Sequence, residues 1–198
     1  TAVGQHAAYA NTTGTCNTAV GFCTLKENLT GVMNVAVGAC AMYNTTGSYN
    51  TAVGTSALKA NTSGSCNVAM GRLALRLNTT GCQNVAIGEA AMCKNTTGIR
   101  NVAMGRAALF NNTTGCYNVG LGYNAGDSIT TGSKNIAIGG FSLQALTTTS
   151  SNVAVGYESQ CANTSGNYNV TVGDSAGRKG TTASGSTAIG FATLCANL

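Results

Sequence analysis

A glycine returns every 17 residues along this chain, and that period limits the possible folds more than any other feature. A short apolar run ends at Gly4, Gly21, Gly38, Gly54, Gly71, Gly88, Gly105, Gly122, Gly139, Gly156, Gly173 and Gly190. The one interval of 16, between Gly38 and Gly54, reads as a residue missing just before Asn44. Everything else keeps phase. Leu or Met stands four residues after the glycine, as at Leu25, Met42, Leu58 and Leu75. An Asn-Thr-Thr-Gly turn or close variant follows, as at Asn11 to Gly14 and Asn78 to Gly81. A second asparagine then precedes the next apolar run: Asn17, Asn34, Asn50, Asn67, Asn84, Asn101, Asn118, Asn135, Asn152 and Asn169, with Ser186 the only departure.

Seventeen residues holding two short apolar runs and two turns are too few for a pair of helices, and the recurring Gly and Asn would break a helix in every repeat. Strand alternation fits: in Asn34-Val35-Ala36-Val37-Gly38 the two valines point one way and Ala36 the other. The sequence therefore predicts an all-β fold, a parallel β-solenoid (β-roll) of about twelve 17-residue coils, as a single domain over residues 1–198 without long helices. One coil buries a few aliphatic side chains worth roughly 1.5–3 kcal/mol each, against an ordering cost of about 1–2 kcal/mol for every residue. Stability must therefore come from stacking. The asparagine series suits an amide ladder running up the stack, and at about 4.8 Å per coil the rod would be roughly 55 Å long. Both faces of the strand are apolar, Val on one and Ala or Gly on the other. Pattern alone leaves open whether the Ala/Gly face is core or a contact with another chain.

The composition, with 27 Gly, no Pro, 43% hydrophobic and 8% charged residues, is too apolar for disorder and lacks the Gly-X-Y spacing of collagen. The net charge of +5 comes from basic residues spread between Lys26 and Lys179 without a cluster, so no nucleic-acid partner is expected. No apolar run is long enough to span a bilayer. The chain opens inside one repeat, Thr1-Ala2-Val3-Gly4, and stops inside another, which predicts a segment of a longer or end-to-end stacked fibre.

The Asn-Val-Ala-Val-Gly and Asn-Thr-Ala-Val-Gly strands resemble the Ser-x-Ala-Ile-Gly strands of trimeric autotransporter adhesin heads, which are left-handed parallel β-rolls. The whole unit from Thr51 to Asn67 is similar to repeats of phage-tail-fibre-like and bacterial surface proteins. The resemblance covers the entire chain and implies a shaft rather than an activity. The expectation is thus a structural subunit of an extracellular or surface-exposed fibre, associating with itself end to end and laterally or as a trimer. The shaft or head of an adhesin or viral tail fibre is the alternative. An ice-binding surface is a third reading, suggested by the threonine column Thr12, Thr45, Thr62, Thr79, Thr96 and Thr113.

Candidate sites follow from phase. The turn asparagines Asn11, Asn28, Asn44, Asn61, Asn78, Asn95, Asn112 and Asn163 are N-glycan acceptor sequences, as are Asn111 and Asn169. Outward-facing turns carrying glycans are expected, with the ladder asparagines buried. Cys23 and Cys40 share a phase in adjacent coils and Cys66 and Cys82 nearly do, which makes them disulfide candidates among nine cysteines. No Cys-x-x-Cys pair suggests a metal, and no cofactor is expected. Gly173-Asp174-Ser175-Ala176-Gly177 matches a nucleophile elbow, but Ser175 and His6, the only histidine, share a phase ten coils apart. The five acids converge nowhere, so no enzyme is expected. Arg72, Glu89 and Arg106 form a charge ladder, and Tyr9, Tyr43 and Phe110, interrupted by Lys59 and Arg76, form a candidate binding stripe.

Overall fold

The structure is a computed structural model that describes residues 1–194. Among these residues the chain forms twelve short strands, from β1 (Ala2–Val3) and β2 (Thr18–Val20) through β6 (Val85–Ile87) to β12 (Thr187–Ile189). They make one parallel sheet in strict sequence order, which is the β-solenoid topology. Register is exact in phase: Val85 stands beside Val68 on one side and Val102 on the other. No described residue is helical, and so no helix is long and apolar enough to cross a membrane.

Three strand residues per coil leave fourteen for corners, and the corners explain much of the sequence. Non-glycine residues adopt left-handed backbone at three phases only: two and four residues after the strand-ending glycine, and just before the ladder asparagine. Ala90 (φ 56°), Met92 (φ 48°) and Gln83 (φ 58°) are one such set. None of the residues at these phases is Val, Ile or Thr, whose branched Cβ tolerates that region least. Each left-handed residue costs about 1–2 kcal/mol, and most are held by a backbone N–H bond to a neighbouring coil. Ala90 N–H donates to Arg72 C=O (2.9 Å), Met92 N–H to Ala108 C=O (3.0 Å) and Gln83 N–H to Ser65 C=O (3.1 Å).

The interior is thin. It consists of the central strand residue (Ala36, Ala52, Ala69, Ala86), the Leu or Met column and its preceding alanine, all fully buried. The Ala/Gly face of the strand is therefore core, and the Val face looks outward.

The 16-residue repeat corrects the expected site of its missing residue. Asn44 N–H donates to Lys59 C=O, as the residue before the turn asparagine does elsewhere, and Thr46 bonds Thr62 C=O through its hydroxyl, as the first turn threonine does elsewhere. Thr45 thus occupies the asparagine position, 2% exposed, and the gap falls between Thr46 and Gly47. Thr45 has no amide to offer, which leaves Asn28 Oδ1 buried without a partner. At the other end of the rod, Gly177 and Gly180 remove the side chains that fill the interior elsewhere. A cavity of about 30 Å³ remains, bordered by Gln160 and Thr171.

Candidate functional site: the faces of the rod

The largest correction concerns the turn asparagines. Asn28, Asn61, Asn78, Asn95 and Asn112 are fully buried, Asn163 is 1% exposed and Asn169 2%. Asn28, Asn61, Asn78, Asn95 and Asn112 point inward because each amide closes its own turn and also bonds the coil before it, whereas Asn163 closes its turn alone and Asn169 belongs to the series that precedes the strands. Asn78 Nδ2 donates to Gly81 C=O (2.9 Å) and to Asn61 Oδ1 (2.8 Å), and Asn95 repeats this on Asn78. The sequon asparagines are thus a second internal ladder, and their Nδ2, the atom a glycan would need, lies sealed in the stack. Of the acceptor sequences only Asn11 and Asn44 are exposed. Asn111 is half-buried with its Nδ2 on Asp127 C=O (2.8 Å). The clue was the glycine three residues on. Gly81 has ordinary φ, and a Cβ there would strike Asn78 Oδ1 and Gly98 C=O, so the turn is pressed against the next coil.

The other asparagine series runs beside it. Asn84 N–H and Nδ2 both donate to Asn67 Oδ1 (3.0 and 3.2 Å), Nδ2 also reaches Gly98 C=O (2.8 Å), and Asn101 continues the pattern on Asn84. Asn34, Asn50, Asn67, Asn84, Asn101, Asn118, Asn135 and Asn152 are all fully buried, whereas Asn17 is half-buried. The turn threonines take part as well: Thr79 Oγ1 donates to Thr96 C=O (2.9 Å) and Thr96 Oγ1 to Thr113 C=O (3.0 Å), so these hydroxyl protons are engaged in stacking.

The expected disulfides are absent. Cys23, Cys40, Cys66 and Cys82 are free, as are Cys16, Cys93, Cys116 and Cys161; Cys195 lies outside the described residues. In-register parallel neighbours carry their Cβ atoms side by side at about the ladder spacing of 4.8 Å, beyond the roughly 3.5–4.5 Å that a disulfide needs. Cys82 Sγ instead accepts the Ser65 N–H (3.4 Å). No cluster of three His, Cys, Asp or Glu side chains capable of holding a metal occurs among the described residues. Ser175 Oγ bonds Asp174 Oδ1 (2.8 Å), ten coils from His6.

Two outer faces remain. On the sheet face, Val35, Val68, Val85, Val102 and their equivalents form one column, and Val37, Met70, Ile87, Met104 and theirs a second. Thr18, Thr51 and Thr187 are the only polar residues in either between β2 and β12, and no charge interrupts them. Val35 is 40% exposed and Met70 and Met104 are each 42% exposed. On the opposite faces, charges that look scattered in sequence stack in space, because a 17-residue separation is one coil. Glu89 pairs with Arg72 below and Arg106 above (Nε to Oε2, 3.5 Å). The Arg72 guanidinium, with Arg106 assisting, holds the Glu89 carboxyl below the usual range. Tyr123, Phe141 and Tyr157 pack edge to face on successive coils, with centroids 5.2 and 5.9 Å apart.

The chain matches no protein-family model, no curated protein and no solved structure.

Proposed function

We propose that this chain is a non-catalytic structural segment of an extracellular or surface-exposed fibre, built by association with copies of itself. The observation that carries this reading is the aliphatic sheet face. It runs the length of the rod without a charge, roughly 55 Å by 10 Å from the ladder and pleat spacings, which is at the upper end of the apolar patches that monomers expose and of the size that is often functional. Two copies laid face to face would bury about 1,000 Å² in total, the lower bound of a specific interface. A surface so uniform along its axis fits another uniform rod better than a compact partner. Axial growth is supported by the repetition of one set of inter-coil hydrogen bonds at every step, which any further coil of the same sequence would continue. Sedimentation velocity on the purified chain tests the reading. A defined oligomer or filament is expected, with Val85→Lys/Ile87→Lys shifting it to monomer; three copies would give the adhesin-like arrangement. A wild-type chain monomeric at tens of micromolar would sink it.

Glycans belong to this proposal only at the surface. In a glycosylating source, Asn44 carries the sugar, since it is exposed and its side-chain Nδ2 makes no hydrogen bond among the described residues. Peptide mass spectrometry is expected to find Asn61, Asn78 and Asn95 bare, and occupancy there would contradict the stacked core.

A further inference from the structure

The edge formed by the fifth residue after each strand-ending glycine holds Lys26, Tyr43, Lys59, Arg76, Cys93 and Phe110 in consecutive coils. Cys93 is buried, and Lys94 beside it supplies that coil's outward side chain. From the coil of Tyr43 to that of Phe110 this edge contains no carboxylate; Glu27 and Asp127 flank it one coil beyond each end. None of Lys59, Arg76 and Lys94 is ion-paired among the described residues, whereas Arg72, Arg106 and Arg178 are. Arg76 Nε is buried without a hydrogen-bond partner. Three cations thus stand in consecutive coils without a carboxylate partner, Lys94 Nζ donating to the neutral Asn111 Oδ1 (2.8 Å). The aromatic rings that bracket the row are already covered. Lys26 Nζ and Lys59 Nζ lie 5.2 and 6.0 Å from the Tyr43 centroid, and Lys94 Nζ lies 5.1 Å from that of Phe110.

We propose that Lys59, Arg76 and Lys94 form a binding row for a linear acidic polysaccharide lying along the rod. The rise of about 4.8 Å per coil is close to the length of one sugar residue, so a uronate chain laid along the rod keeps carboxylates within reach of the row. Arg76 supplies a planar fork suited to a carboxylate, and the lysines supply mobile point charges on either side. A single-stranded nucleic acid would want open aromatic faces on which to stack its bases, and here lysines occupy them. Exposed ion pairs are individually weak, so the row acts through multivalency and requires a polymer. Such an edge lies apart from the aliphatic sheet face, and a fibre assembled through that face would repeat the row on every copy.

Isothermal titration of the full chain with polygalacturonate, the galacturonate dimer, neutral dextran and oligothymidylate tests the proposal. Expected are measurable binding of polygalacturonate alone at low salt and a loss of at least about tenfold when salt is raised severalfold. Lys59→Gln/Lys94→Gln is expected to weaken binding at least about tenfold with an unchanged circular dichroism spectrum. Lys134→Gln, in the coil after Phe110 and at a different phase, is expected to leave it unaltered. Because Arg76 is partly buried, Arg76→Gln is examined separately, with its melting curve. No binding of polygalacturonate, equal binding by the double variant, an equal loss from Lys134→Gln, or tighter binding of oligothymidylate would each overturn the assignment.

Discussion

Replacing Gly88 with alanine is expected to cost the rod at least about 4 kcal/mol of stability. Two effects combine. The residue sits at φ +130°, where an L side chain is strongly disfavoured, unlike the milder left-handed values near 50–60° that Ala90 and Met92 adopt. A Cβ at Gly88 would also stand 2.6 Å from Gly105 O and 2.7 Å from its carbonyl carbon. Both are backbone atoms of the next coil, so relief would require pulling two coils apart and losing ladder bonds such as Gly105 N–H to Ile87 C=O (2.8 Å). Gly185 is the control: it has φ +67° and nothing within 4 Å of its built Cβ, so Gly185→Ala is expected to cost only about 1 kcal/mol. Urea denaturation midpoints measure the difference. Similar losses at Gly88 and Gly185 would show that coil contact is not what requires the glycine.

The second large effect is expected at Asn84→Leu, a loss of about 3–5 kcal/mol. Asn84 makes four side-chain hydrogen bonds inside the stack: two donated, to Asn67 Oδ1 and Gly98 C=O, and two accepted, from Asn101 N–H and Nδ2. Leucine removes them all and leaves the Asn101 backbone N–H buried with no acceptor. Asn78→Leu, in the neighbouring ladder, is expected to cost about half as much. Its loss orphans Asn61 Oδ1 and takes one of two acceptors from Asn95 Nδ2, both side-chain atoms, while Gly81 C=O keeps the Asn67 amide (2.8 Å). The chain already makes this exchange, with Ile129 and Leu146 fully buried at the same phase in two successive coils. Thermal or urea unfolding of the two variants side by side checks the ranking. Equal losses would mean that backbone satisfaction does not distinguish the ladders.

The period, the parallel stack, the in-phase strands and the Leu/Met core were legible in the residues, because a solenoid repeats its contacts at the interval of its sequence. Phase alone could say which residues share a column. It could not say which columns face inward. Val-Ala-Val reads as apolar on both sides, and only the coil's closure decided that the slim alanine fits the thin interior while the larger valines, isoleucines and methionines look out. Asn-Thr-Thr-Gly reads equally well as an exposed turn and as a buried one. Its asparagine went inward because a corner lying against two other coils needs donors for carbonyls such as Gly81 and Gly98, which no strand pairing satisfies. The basic residues looked dispersed because they are many positions apart in the chain, yet stacking set Lys59, Arg76 and Lys94 in consecutive coils. The sequence by itself thus determined the repeat and everything that depends on hydrogen bonding between equivalent residues. Which way each column points was decided by tertiary structure, since it depends on the cross-section of the coil, a balance of side-chain volume and polar satisfaction that no single 17-residue unit reveals.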